Sequence, residues 1–333
     1  MSEKTTLSAS RIKTVQSCSW LYWFKYFLKA PDKSNDGAKR GTVCHEIFEF
    51  LGENKKEFNK IIKKGCISGS KIVQDLLQQI AEKEGVADKK NIDSIKEMIL
   101  NGLSYDFYGE SMGKLKESIS EKDFDLNFED EKINFKIKGF IDKLFITKDT
   151  ALIRDFKSSK EIFKGKDLED NVQDLMYVLA VKRMYPELKS IKSEFVFLKY
   201  PHEKGVVKMP EISDEEIEGF EQQLTAIQNY LDNFNEKTAV KNLAAKADYP
   251  KDNSFGGPLM CGYAKSPDEK KADGTPKWHC PAKFPFKYYQ IKEESGKIID
   301  SCFMEDLNKY KEKYPDKQFV LFDYKGCPAF LRK

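Results

Sequence analysis

The sequence predicts an α/β chain. Three observations carry this: a Phe- and Ile-rich β-hairpin between Phe135 and Phe156, helical periodicity on both sides of it, and a short apolar strand at Phe195–Leu198. In the hairpin, Phe135–Ile146 and Ala151–Phe156 are joined by the polar turn Thr147-Lys148-Asp149-Thr150. Alternate side chains of a strand share a face. Asp155 and Lys157 therefore point one way and Phe156 the other. If the strands pair, Asp142 comes near Asp155 at one end of the sheet. Two carboxylates can hold a divalent cation, and a lysine beside them can orient or deprotonate water.

The other elements follow in order. Ser8 or Ser10 is placed to cap a helix from Arg11 to Leu28, apolar on more than one face through Ile12, Val15, Trp20, Trp23, Phe24 and Phe27. Cys18 and Tyr22 lie one turn apart on it. Pro31–Arg40 reads as a polar loop, and Gly41–Leu51 as a second helix with His45 and Glu49 on one face. Residues 52–119 are lysine-rich and mostly helical, a cover rather than a site. The alternation Phe124, Leu126, Phe128 marks a strand that Asp130-Glu131 turns back into the hairpin.

After Lys157 a linker leads to a helix from about Leu168 to Met184, which carries Gln173 and Tyr177 at i,i+4. Phe195–Leu198 is a buried strand with Val206-Val207 as its partner. Ile212–Phe234 is a long amphipathic helix. Past residue 240 the composition changes. Residues 248–287 are rich in Pro, Gly, Lys and aromatics and hold Met260-Cys261-Gly262-Tyr263 and Trp278-His279-Cys280-Pro281-Ala282-Lys283-Phe284. A helix (Met304–Lys313) and a strand (Phe319–Phe322) end the chain. This divides it into a core, 1–240, with a helical insertion at 52–119, and an irregular, cysteine-containing C-terminal cap, 241–333, packed on the core.

Composition sets bounds. At 333 residues and 40% hydrophobic, the chain can build one large core or two modest ones. A net charge of +3 neither requires nor excludes nucleic acid as a partner. Met1–Thr6 has no apolar signal region and no apolar run reaches membrane length, so neither export nor a membrane partner is expected. Seven irregularly spaced cysteines point to reduced thiols and the cytoplasm, not to a disulfide framework. The absence of GxxxxGK[ST] argues against an ATP-driven motor in this chain. The lysine-rich, short-loop style suggests a bacterial or phage origin.

The ordered set GxxxHxxxE (41–49), GxxD (139–142), DxK (155–157) and QxxxY (173–177) resembles the RecB-like branch of the PD-(D/E)XK nuclease superfamily. Leu7-Ser8-Ala9-Ser10-Arg11-Ile12 with Cys18 and Tyr22 is similar to that branch too, as is the Trp278–Phe284 segment. The resemblance covers residues 7 to 200 well and the C-terminal third weakly. It implies a restriction-endonuclease-like core, a mixed central sheet flanked by helices with the hairpin at its heart. It implies metal ligation by His45, Asp142, Asp155 and the Phe156 carbonyl, and a catalytic Lys157. Gln173 and Tyr177 would position that lysine or the DNA backbone, and Glu49 would support the metal or bind a second one. Mg²⁺ or Mn²⁺ is the expected cofactor, the imidazole favouring Mn²⁺. The implied activity is DNA hydrolysis, most simply by an exonuclease on single strands or ends, in recombination, repair or phage DNA processing. The aromatic-rich first helix reads as core before it reads as a binding platform, though aromatic helices beside the site could stack unpaired bases. The alternatives are a non-catalytic DNA-end-binding or assembly subunit, or a nuclease active only beside a helicase.

Many members of that branch hold a four-iron, four-sulfur cluster on one early and three late cysteines. Cys18 fits the early position, but the late ones here are widely spaced and no CxxC occurs. The expectation is a lost cluster replaced by aromatic packing. A cluster on Cys18, Cys261, Cys280 and one further cysteine is the alternative, and a zinc site on Cys261, His279 and Cys280 a third.

Overall fold

The computed structural model describes residues 4–32, 35–244, 261–262 and 264–331. Its longer helices are α1 (Ala9–Ser17), α2 (Asp36–Glu53), α3 (Lys55–Lys64), α4 (Lys71–Glu84), α5 (Lys89–Leu103), α6 (Val172–Met184), α7 (Asp214–Asp232) and α8 (Leu307–Lys313). The strands are β1 (Glu117–Glu129), β2 (Asn134–Ile146), β3 (Thr150–Lys157), β4 (Ser190–Phe197), β5 (Val206–Lys208), β6 (Phe286–Lys292), β7 (Ile298–Phe303) and β8 (Gln318–Tyr324). The chain divides into two compact units. Unit one holds residues 1–9 and 34–228, and unit two holds 10–33 and 229–333. The compositional boundary near residue 240 is thus not where the contacts divide, because residues 10–33 group with the C-terminal part.

Unit one is built on the five-stranded sheet β1-β2-β3-β4-β5. Every neighbouring pair is antiparallel except β3 with β4. A parallel pair needs a crossover, and α6 lies in the connection between those strands. The β2–β3 turn closes through Thr147 N donating to the Thr150 carbonyl at 2.9 Å and Thr150 N donating to Thr147 Oγ1 at 3.1 Å. From there the ladder runs only to Lys143↔Arg154. Asp142 and Asp155 come next in register, where the strands part.

Alternation decides which side chains are buried. In β2, Phe135, Ile137 and Ile141 are inside, while Lys138 and Phe140 are exposed. Phe156 turns into an apolar cluster with Val43, Ile47 and Phe48 of α2 and Ile95 and Ile99 of α5. Its ring lies 4.4 Å from that of Phe48, centroid to centroid. Burying each such side chain stabilises by about 1.5–3 kcal/mol. This contact sets α2 against the sheet. Arg154, fully buried, ties β3 to β4 through Nε to Glu194 Oε1 at 2.7 Å, and Tyr105 donates to Glu194 Oε2 at 3.0 Å.

Two boundaries differ from the sequence reading. The Pro31–Arg40 stretch is not all loop: α2 starts at Asp36, because the Asn35 side chain accepts from Ala38 N at 3.0 Å and caps it. Apolar periodicity begins only at Gly41, so it understates the helix. The Leu168–Met184 helix is interrupted at Asn171, whose side chain accepts from Gln173 N at 3.1 Å and Asp174 N at 3.3 Å and so starts α6 afresh.

Unit two has its own sheet, β7-β6-β8, antiparallel throughout. The sequence pattern marks no element between residues 288 and 303, where most of β6 and β7 lie. The Arg11–Leu28 helix is broken: after α1, Cys18 is extended (φ −162°, ψ 116°), a short turn Ser19–Tyr22 follows, and Trp23–Phe27 is π-helical. Three of its aromatics are buried in the core, while Trp23, Tyr26 and Phe27 are half-buried. Trp20 Nε1 donates to Tyr324 Oη at 2.7 Å, and Phe24 meets the Tyr324 ring edge-on at 5.0 Å. Trp20, Tyr22 and Phe24 are buried, so those rings offer no stacking face. No described helix is long and apolar enough to cross a membrane. Met260, Tyr263 and the Pro/Gly-rich stretch 248–260 lie outside the described residues.

Candidate active site

The site lies in unit one, where the β2–β3 hairpin opens. Helix α2 brings His45 to it. Gly41, one turn earlier, allows the approach, since a Cβ there would sit 2.7 Å from Ser158 Oγ. His45 Nδ1 lies 3.3 Å from Asp142 Oδ1. The other Asp142 oxygen accepts from Phe156 N at 2.7 Å, which fixes the carboxylate across the parted strands. Gly139 fits its motif for a similar reason: the Phe124 ring covers it, 2.6 Å from where a Cβ would stand.

Asp155 is 3% exposed. Its Oδ1 accepts from Gln173 Nε2 at 2.8 Å and from Tyr177 Oη at 3.4 Å. Lys157 Nζ donates to Gln173 Oε1 at 2.7 Å, and Gln173 Nε2 also reaches Tyr177 Oη at 2.7 Å. The Asn171 cap presents Gln173 and Tyr177 on the face of α6 that meets β3. The Lys157 ammonium lies 2.7 Å from Asp155 Oδ2, a buried ion pair.

An open cavity of about 440 Å³ borders the group, lined among others by Gly41, His45, Glu49, Glu121 and Ser158. Sequence reasoning missed Glu121. His45, Glu121 and Asp142 each offer one ligand atom, all within 4.8 Å of one another. The signal was the hairpin register. Counting back from the 130–133 turn places Glu121 opposite Asp142, but the alternation that marked this strand began only at Phe124.

The family model of the PD-(D/E)XK nuclease superfamily matches residues 6–263. The chain belongs to that superfamily. The chain is also similar to three solved structures. One is a provisionally named exonuclease from Eubacterium rectale, at 12% identity and TM-score 0.42, covering 68% of this chain and 81% of the other. The second is the protein SSO0001, at 15% and 0.27, covering 69% and 94%. The third is protein VC1899 from Vibrio cholerae, at 10% and 0.23, covering 68% and 58%. Among curated proteins no sequence matches.

PD-(D/E)XK nucleases work with divalent metals, and the donor set here suits one: an imidazole nitrogen and two carboxylates beside it. The groups of the site also hold protons tightly. Burial, then the charge of Asp142, pushes Asp155 up to about 6. The same two causes push Glu121 up to about 7. For His45, burial works against the charged ring, but the Asp142 hydrogen bond and the surrounding carboxylates outweigh it and hold the ring up to about 9.

All three groups bind a proton more tightly folded than unfolded, so the stability each contributes is present below its unfolded value and lost as pH rises through the folded one. Without metal, the melting temperature of this nuclease is therefore expected to fall as pH rises from about 5 to about 9. A bound cation replaces those protons, so saturating Mn²⁺ is expected to flatten the decline. Thermal melts in EDTA and in Mn²⁺ check this; parallel curves would contradict it.

Unit two of the nuclease carries a second constellation. Cys18, Cys261, Cys280 and Cys327 line one small enclosed cavity of about 20 Å³, together with Trp20, Leu243 and other apolar groups. Burial pushes Cys280 up to about 12 and Cys327 up to about 11, and the neighbouring thiols add to both. The late cysteines are gathered by backbone pairing. Cys280 N donates to the Cys261 carbonyl at 3.2 Å, and Cys327 N to the Lys283 carbonyl at 3.2 Å. Lys283 Nζ is held by the Gly262 and Ala264 carbonyls at 2.9 and 2.7 Å. Cys302 is on β7 and does not line the cavity. Nor does His279, whose ring meets Phe284 edge-on at 4.9 Å.

Proposed function

We propose that this nuclease hydrolyses DNA phosphodiester bonds as a metal-dependent exonuclease, on single strands or on ends, in the manner of the RecB-like branch. The observation that supports it most is the convergence of His45, Asp142, Asp155 and Lys157 at the open end of the hairpin, beside a cavity wide enough for a phosphate. Asp142, Asp155, His45 and the Phe156 carbonyl would hold Mg²⁺ or Mn²⁺, with Glu49 at the cavity wall for support or a second ion. Bound there, such an ion would supply Lewis-acid activation of the phosphate and of water. Lys157 orients the attacking water and offsets charge growing on the phosphate. Gln173 fixes the lysine through its Oε1 and Asp155 through its Nε2, so one side chain sets the spacing between both. Tyr177 closes the network from below.

A binding or assembly subunit without turnover is the weaker reading, since none of the charges that hydrolysis requires is missing. A helicase or recombination partner would supply the ATP-driven step. Cleavage of end-labelled linear and closed circular DNA, single- and double-stranded, in Mg²⁺, Mn²⁺ and EDTA tests the proposal. Metal-dependent loss of linear substrate, with circles spared, is the expected outcome. Nicked circles would make it an endonuclease. Intact DNA in every lane would favour the binding subunit.

The four thiols of unit two favour a second cofactor, an iron–sulfur cluster on Cys18, Cys261, Cys280 and Cys327. Such a cluster needs four thiolates, and the cavity is walled by four. Thiols pushed up by burial and by one another ionise readily only against a cation. Bound there, the cluster would act as a cross-link between the N-terminal segment and the C-terminal tail of unit two.

A further inference from the structure

We propose that Glu121 is a ligand of the active-site metal, completing a set with His45 and Asp142. This rests on the metal centre proposed above and adds a residue outside the sequence motifs. The register carries the first part of the argument. Ser120 pairs with Lys143 and Lys122 with Ile141, while Glu121 and Asp142, directly opposite each other, are left out of the ladder. Cross-strand neighbours bring their Cβ atoms to about 4.5–5.5 Å. Two carboxylates so placed repel unless something positive lies between them.

The backbone is shaped for the same end. Glu121 has φ +48°, left-handed backbone inside a 13-residue strand. That conformation is uncommon for a side chain without a local hydrogen bond to gain, and it re-aims the residue as a bulge does. Glu121 lines the cavity with His45 and Glu49. Its ligand atom falls within 4.8 Å of those of His45 and Asp142. Beside the His45, Asp142, Asp155 and Phe156 ligands proposed above, Glu121 would be a further protein ligand, and a six-coordinate ion would keep about one position for water or phosphate. Glu121 therefore faces a position that a cation can share with both neighbours.

Calorimetric titration of the full chain with Mn²⁺ tests this in four proteins: wild type, Glu121→Gln, Asp142→Asn and Glu117→Gln. Glu117 is an exposed acid on the same strand, away from the cavity. Wild type and Glu117→Gln are expected to bind alike, and Glu121→Gln about 10- to 100-fold more weakly. Its melting temperature in EDTA should not fall below that of wild type, which shows that folding is intact. Glu121→Asp keeps a carboxylate and should recover part of the affinity, so the proposal stays testable if the amide variant folds poorly. Unchanged Mn²⁺ affinity in Glu121→Gln, with binding lost in Asp142→Asn, overturns the proposal and leaves the metal centre standing. No Mn²⁺ binding by wild type overturns both.

Discussion

Lys157→Ala is expected to lower single-turnover cleavage of DNA by about 10³-fold, with Mn²⁺ binding nearly unchanged. The figure follows from the two roles the ammonium fills. Removing a donor aimed at developing charge costs about 10²–10³, and losing a group that orients or activates water costs about 10²–10⁴. These act through one nitrogen, so they do not multiply. The split between rate and metal affinity comes from geometry. Lys157 contacts Asp155 and Gln173 and offers no lone pair to a cation while charged.

Asp155→Ala is expected to lose both rate and metal binding, because it removes a proposed ligand and also the acceptor that holds Lys157 and Gln173 in place. Lys157→Arg should stay nearly as slow as Lys157→Ala, since the wider guanidinium cannot occupy the 2.7 Å positions between Asp155 and Gln173. Substantial cleavage by Lys157→Ala, in protein free of contaminating nuclease, would remove the lysine from the mechanism.

Much of this site could be read from the sequence because its parts are local. GxxxHxxxE is one helix face and DxK one strand face, and each spacing fixes a direction without reference to the rest of the chain. The hairpin was legible to within a residue at most of its ends, since apolar alternation and a polar turn bound it. What escaped detection was set by pairing at a distance. The placement of Glu121 depends on the β1–β2 register, and β1 begins in the polar run Glu117–Lys122, where no alternation shows. Cys327 was one of several late cysteines in the sequence. It became the fourth wall of a cavity only through the β6–β8 pairing, which ends next to it at Phe286↔Tyr324. The break at Cys18 is a tertiary effect too, for the surrounding residues favour an unbroken helix. The expectation of a lost cluster rested on spacing alone, and spacing does not limit cysteines that a sheet brings together.

That last point leads to a sharp expectation. Protein purified without oxygen should carry about four iron and four sulfide per chain, if the cavity holds a four-iron cluster. Cys18→Ser, Cys280→Ser and Cys327→Ser should each lose most of that iron and its visible absorption, while Cys302→Ser and Cys66→Ser keep both. Stability should follow the same division. The cluster would join Cys18 to thiols from the far end of the chain, closing loops of a hundred residues or more. By the chain-entropy account of cross-links, such closure stabilises by about 3–5 kcal/mol. The three cluster variants should therefore unfold unit two at lower denaturant, whereas the Cys302 variant pays only for a hydroxyl in a buried strand. Unit one has its own sheet and apolar cluster, so metal binding at His45 and Asp142 should survive in all of them. Iron-free wild-type protein with the stability of the Cys280 variant would reduce the four thiols to packing, and would restore the reading in which aromatic contacts alone hold this part of the chain together.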